Sequence, residues 1–301
     1  MTQLASIATS SPRASGPERF PVFGLADLAR AAEESAARAE AARVAGRQLG
    51  PTTGIGGLDA AVGGFLEAGL HQLLGGTGVG KTAFALQVAA ACGVPCLYLT
   101  AEMAPVELFR RVAARVNGTF LDRFRSGELD AGARGRLFAA AVAACPQLWI
   151  ADGTEVPATL DQIADTLATI RGDAVPLMVV DSLHEWASTV APPEKSEYDA
   201  LNWALLQLRN FARREGVAVL SLAERNRASM ASGGLNAAAG TRKFEYGAHS
   251  VLDLQVAENA VEGQWPRRID LRLHKNRSGS AGQKVALEFD GRVQTYTEVR
   301  M

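Results

Sequence analysis

Short apolar runs alternate with longer stretches of helical periodicity along most of this chain. HQLL at 71–74, CLYLT at 96–100, LWIAD at 148–152, LMVVD at 177–181 and VAVLSL at 217–222 are apolar almost throughout. Strands buried on both faces read this way, and the helical stretches between them supply the crossovers that join parallel strands. After Glu245 the pattern changes. VLDLQV, RIDLRLH, KVALEF and RVQTY follow one another across Gly-rich turns, which predicts an antiparallel flank. The expectation is one α/β domain over 51–301, a mostly parallel twisted sheet with antiparallel C-terminal strands. No internal repeat is visible.

Residues 1–20 are rich in Ser, Thr and Ala with no acid before Glu18, and read as a disordered leader. Residues 21–50 then carry a run of Ala, Glu and Arg, strong helix formers that predict a helix from Leu25 to Arg47. Its apolar anchors Phe20, Val22, Phe23, Leu25 and Leu28 crowd one end, and beyond Leu28 nearly every apolar residue is Ala. Such a helix buries little against its own core. It is a solvated spacer, or it docks on a neighbouring subunit. Gly46, Gly50 and Pro51 punctuate the start of the main domain.

Composition narrows the function classes. With 301 residues, 48% of them hydrophobic, the chain has enough apolar material for a real core, which excludes a wholly disordered protein. A net charge of -1 excludes coating nucleic acid by bulk electrostatics. The charge is uneven, however. From Arg225 to Met301 there are 12 Arg and Lys against 8 Asp and Glu, so any nucleic-acid contact is expected in that last quarter. Cys92, Cys96 and Cys145 form no disulfide framework and no zinc spacing, and read as small buried hydrophobes. No apolar stretch is long enough to span a membrane and no apolar signal core is present, so a cytoplasmic protein is expected.

The strongest motif is GGTGVGKT, comprising Gly75, Gly76, Thr77, Gly78, Val79, Gly80, Lys81 and Thr82. It follows HQLL and opens the helical stretch FALQVAAA, as a phosphate loop requires. Glycines let backbone N–H groups converge on phosphate oxygens, Lys81 reaches the terminal phosphates of ATP, and the Thr82 hydroxyl binds Mg²⁺. A second acid is needed on the metal. Asp181 ends the apolar run PLMVVD, where a Walker B acid stands at the sheet's carboxyl edge. Glu102, just beyond CLYLT, is placed to face the γ-phosphate and orient or deprotonate water.

Read in order, TTGIGGLDAAVGGFLEAGLHQLLGGTGVGKT, the TAEM strand, SGELD at 126–130, MVVDSL, SLAERNR at 221–227, FEYGAHSVLDL at 244–254 and HKNRSG at 274–279 resemble the motor domain of DnaB-type hexameric helicases. The resemblance covers 51–301 and implies a RecA-like P-loop NTPase core, ATP and Mg²⁺ as cofactors, single-stranded DNA as partner and a homo-oligomeric, hexameric ring. It implies that Glu102 is the catalytic glutamate. It also implies that Arg225, Arg227, Arg242 and Lys243 lie in or beside the loop facing DNA, and that Lys275 and Arg277 form a basic pair reaching a neighbour's nucleotide. HKNRSG reads as a strand end, where alternation would point Lys275 and Arg277 the same way.

Two departures stand out. Glu224 occupies the place of a Gln that senses the γ-phosphate, and a carboxylate there repels phosphate unless a metal or Arg compensates. The family's N-terminal helical scaffold has no counterpart beyond the 25–47 helix. Asp181-Ser182 and Lys275-Asn276-Arg277 also resemble the RadA and KaiC ATPases, which keeps open a DNA-repair ATPase and a nucleotide-switched assembly protein. His184, three positions beyond the Walker acid, reads as scaffold, with contact to the site as the alternative. His71 reads as scaffold, His249 and His274 as surface or partner-facing, and Trp149, Trp186, Trp203 and Trp265 are too scattered for a base-stacking row.

Overall fold

The computed structural model describes residues 22–225, 247–261 and 263–299. The expected leader and the residues Arg227, Arg242 and Lys243 lie outside the described residues. The chain divides into two units, one ending at Leu49 and one beginning at Gly50.

In the first unit, helix α1 spans Leu25–Val44 and stops short of Arg47, where Gly46 takes a left-handed φ of 62°. Gly24, at its N-cap, supplies no side-chain acceptor, and Asp27 in the first turn complements the positive end instead. Val22, Phe23, Leu25 and Leu28 are exposed.

The second unit is built on one nine-stranded sheet. In chain order the elements are α2 (Gly56–Ala61), β1 (Gly69–Gly75), α3 (Lys81–Ala91), β2 (Cys96–Thr100), α4 (Pro105–Asn117), a short 3-10 turn (Leu121–Phe124), α5 (Ala131–Ala144), β3 (Leu148–Asp152), α6 (Leu160–Ile170), β4 (Leu177–Asp181), α7 (Leu183–Val190), α8 (Glu197–Glu215), β5 (Ala218–Glu224), β6 (Ser250–Val256), β7 (Arg267–Asn276), β8 (Lys284–Asp290) and β9 (Thr295–Glu298). The strand order is β3-β2-β4-β5-β1-β6-β7-β8-β9.

All five apolar runs are strands, and β1, β2 and β4 are buried along their whole length. Helices cover both faces of this parallel part. Phe84, Leu86 and Leu108 of α3 and α4 pack on one face, and Trp186, Leu208 and Phe211 of α7 and α8 on the other. Burial of large apolar side chains on this scale is the main stabilising term.

The antiparallel flank begins one strand later than the pattern suggests. β6 runs parallel to β1, from His71↔Ser250 to Gly75↔Leu254, and antiparallel pairing starts between β6 and β7. Alternation within VLDLQV is the same for either direction. The interval between Glu224 and Ser250 is long enough for a crossover, which permits the parallel choice. RVQTY is likewise only half strand: Arg292 to Gln294 form the turn into β9, with Gln294 at a φ of 57°. Cys92 and Cys96 are buried and all three cysteines are free thiols. Among the described residues no helix is long and apolar enough to cross a membrane.

Candidate active site

The carboxyl ends of β1, β2, β4 and β5 lie side by side at one edge of the sheet. β1 delivers Gly76–Gly80 to this edge, and α3 begins at Lys81. Gly80 caps α3 with a left-handed φ of 102°, and a Cβ there would lie 2.5 Å from the Tyr296 hydroxyl oxygen and 2.8 Å from a Phe289 ring carbon. Only glycine fits. Tyr296 in turn donates to the Val79 carbonyl at 2.8 Å, and its backbone exchanges two hydrogen bonds with the Gln87 side chain, at 2.9 and 2.8 Å. The loop is thus seated on β9. Gly76 and Gly78 have nothing within 4 Å of a would-be Cβ, so backbone N–H groups and the positive end of α3 are open to an anion.

Lys81 Nζ donates to the carbonyls of Gly75 and Gly76 at 3.0 and 3.1 Å and lies 3.9 Å from Glu224 Oε1. Burial lowers its pKa, while the charges of Glu224, Asp181 and Glu102 act against that shift. Thr77 Oγ1 also donates to Glu224 Oε1, at 3.1 Å. The Glu224 carboxylate therefore contacts the phosphate loop directly.

Asp181 is 5% exposed and accepts the Tyr98 hydroxyl at 2.6 Å. Burial raises its pKa, and hydrogen bonds from Tyr98 and Thr82 together with the charges of Lys81 and Arg111 restrain the rise. One hydroxyl, Thr82, and one buried carboxylate, Asp181, thus stand together at the mouth of the loop. Mg²⁺ keeps several waters and takes substrate phosphates as ligands, so this pair fits it. No cluster of three His, Cys, Asp or Glu suited to a metal occurs among the described residues, and this mode of binding requires none.

Glu102 follows β2, which pairs with β4 so that Thr100 lies opposite Asp181. Partial burial comes first, then the nearby charges of Asp181, Glu185 and Glu224, in raising its pKa, against the pull of Lys81. A carboxylate shifted toward neutrality is the better proton acceptor. Thr77, Lys81, Thr82, Glu102, Asp181 and Glu224 all line one cleft of about 900 Å³. His184 also lines it, with its pKa lowered by burial.

Several cleft residues escaped the sequence reading. Arg111, which donates to Gln294, is one; Tyr98, fully buried and bonded to Asp181, supports the cleft without lining it. Phe120, with the Arg292 guanidinium 5.2 Å from its ring centre, and Trp265, edge-on to Phe289, line the far end.

Lys275 and Arg277 do not join this cleft. Asn276 pairs with Ser250, and Ser250 with His71, so the segment sits at the sheet edge opposite the phosphate loop. β7 ends at Asn276, and its register break, at His274, precedes both Lys275 and Arg277. Arg277 is exposed, and Lys275 is half-buried. Arg225 is not an open surface cation. It is ion-paired with Asp253, a carboxylate that is fully buried and also bonded by His274 at 3.0 Å and Gln255 at 2.8 Å.

The phosphate loop after β1, the acid ending β4 with β5 between those two strands, and the sheet order place the chain among the RecA-like P-loop ATPase domains. It belongs to the family described as the DnaB-like helicase C terminal domain, which matches residues 50–298. A solved ATPase domain aligns with a TM-score of 0.73 and 16% identity, over 89% of this chain and 98% of its own. A DnaB-like replicative helicase, solved in a study of its interactions with primase, aligns with a TM-score of 0.72 and 16% identity, over 83% of this chain and 63% of its own. A KaiC-like protein from Pyrococcus horikoshii gives 0.57 and 21%, over 83% of this chain and 98% of its own. No curated protein sequence matches the chain at a significant level.

Proposed function

We propose that this protein is an ATP-dependent motor that moves on single-stranded DNA as a homo-oligomeric, hexameric ring. The observation that carries the reading is the gathering of Lys81, Thr82, Glu102 and Asp181 in one cleft, with Lys275 and Arg277 at the opposite sheet edge. Loop N–H groups and Lys81 bind the phosphates of ATP, and Thr82 and Asp181 hold Mg²⁺. Bound there, Mg²⁺ would supply positive charge against the phosphate oxygens. Glu102 orients a water against the γ-phosphate and accepts its proton. A site that lies far from its own Arg277 leaves that guanidinium to complete the cleft of an adjacent subunit, which suits a ring. Arg227, Arg242 and Lys243 supply the DNA contact in this reading.

A second reading, a nucleotide-switched assembly protein, draws on Glu224. Its carboxylate contacts Thr77 and Lys81 where a neutral amide would meet a γ-phosphate with less repulsion. ATP turnover measured with and without single-stranded DNA, beside native mass spectrometry, separates the two. DNA-stimulated turnover by a ring supports the motor. Turnover indifferent to DNA, with nucleotide-dependent assembly, supports the switch.

A further inference from the structure

Arg277 projects from a stretch of backbone that is pinned on both sides. Its own N–H donates to the carbonyl of His249 at 3.0 Å. The next residue, Ser278, lies with its hydroxyl 3.0 Å from His249 Nε2, and Glu67 Oε2 is 3.2 Å from the same nitrogen. A carboxylate only accepts, so Nε2 carries the proton and shares it between Glu67 and Ser278. On the other side, the Asn276 side chain donates to the Ala61 carbonyl at 2.8 Å and accepts the Ser278 N–H at 3.1 Å. His249 itself has little room to move. Its backbone N–H donates to the Leu70 carbonyl, a Cβ on Gly69 would lie 2.8 Å from its Nδ1, and its ring centre is 5.5 Å from that of buried His71. One histidine thus grips the segment by its backbone at residue 277 and by its ring at residue 278.

We propose that His249 is a positioning residue for Arg277, fixing the backbone from which the guanidinium reaches a neighbouring subunit's nucleotide. The proposal rests on the trans reading of Arg277 given above. A long side chain acts at a distance only if its root is fixed, and a misplacement of about 1 Å in a catalytic group can cost about 10²-fold in rate. The carbonyl grip is backbone and survives substitution, so removing the ring loosens the segment without unfolding it. Ser278→Ala removes the hydroxyl partner from an exposed position and gives a milder version of the same defect.

The test is a double-mutant cycle on DNA-stimulated ATP turnover by the full chain, with fluorescent-nucleotide binding and melting temperature measured in parallel. His249→Ala should lower kcat about tenfold or more while KM stays within about twofold, as expected when a transition-state contact is misplaced. Ser278→Ala should fall between His249→Ala and wild type. The double variant His249→Ala, Arg277→Ala should turn over no more slowly than Arg277→Ala alone, because residues acting through one another are not additive. A double variant slower than Arg277→Ala by the full single-mutant factor would show a general structural role and overturn the proposal, as would a His249→Ala protein with unaltered kcat. If Arg277→Ala itself has wild-type turnover, the trans reading fails first and the proposal falls with it.

Discussion

Tyr98 and Asp181 share a hydrogen bond of 2.6 Å inside the sheet, between neighbouring strands and with both residues buried. The phenol holds the carboxylate in place and leaves its other lone pairs for a cation. Tyr98→Phe should keep the fold yet weaken Mg²⁺-dependent nucleotide binding, by about 10–100-fold if the phenol orients the acid as outer partners of metal ligands do. Titration of Mg²⁺ at fixed nucleotide reads this directly, and an unchanged midpoint would remove the phenol from the metal's support.

Burial raises the Asp181 pKa, so the unliganded fold binds that proton more tightly than the unfolded chain does. The resulting stability is fully present below the unfolded pKa and is lost as pH rises through the folded one. A bound cation replaces the proton. The gain in melting temperature from Mg²⁺ and ADP should therefore grow as pH rises through the carboxylate range toward neutrality. A gain that is flat or falling over that range contradicts this account of the acid.

Lys81→Ala should abolish nucleotide binding or hydrolysis without unfolding the domain, since Lys81 is the loop's only charged side chain. Glu102→Gln should bind ATP but turn over about 10²–10⁴-fold more slowly, because the amide takes no proton. Near-normal turnover in Glu102→Gln would shift the base role, with Glu224 the first alternative in the cleft.

Arg225 and the three basic residues beyond it should separate cleanly. Arg225→Ala leaves Asp253 buried without its principal cation and should cost about 3–5 kcal/mol of stability, visible in thermal melts. Substituting Arg227, Arg242 and Lys243 together should leave the melt unchanged, weaken single-stranded DNA and flatten the salt dependence by about one unit per lost phosphate contact. A triple variant with wild-type DNA affinity would place the contact elsewhere.

These predictions divide along the same line as the sequence did. Gly75 to Thr82 is contiguous, so its chemistry was legible in one window, and Asp181 and Glu102 were legible because each follows a buried apolar run. Tyr98, Arg111 and Gln294 were not. Each reads as an ordinary strand, helix or turn residue: Arg111 and Gln294 meet at the cleft across 183 positions, and Tyr98 supports it only through buried Asp181. The direction of β6 was hidden for a different reason: alternation records which face a side chain takes and is silent on which way its strand runs. Arg225 looked like a surface cation because Asp253 sits within an apolar strand, with no local sign of the partner that accounts for it.

The seat of the phosphate loop also bears on how the protein comes into being. Tyr296 meets Val79 across 217 positions, and it is Tyr296 and Phe289 that close around Gly80. A ribosome releases the glycine loop well before β9, so during synthesis the loop waits without its support. Every motif residue is already present at that stage. A chain stopped before Thr295 would therefore carry an intact phosphate-loop signature and still lack the floor that holds the loop open. Competence to grip a nucleotide arrives late, with a strand that contains none of the chemistry.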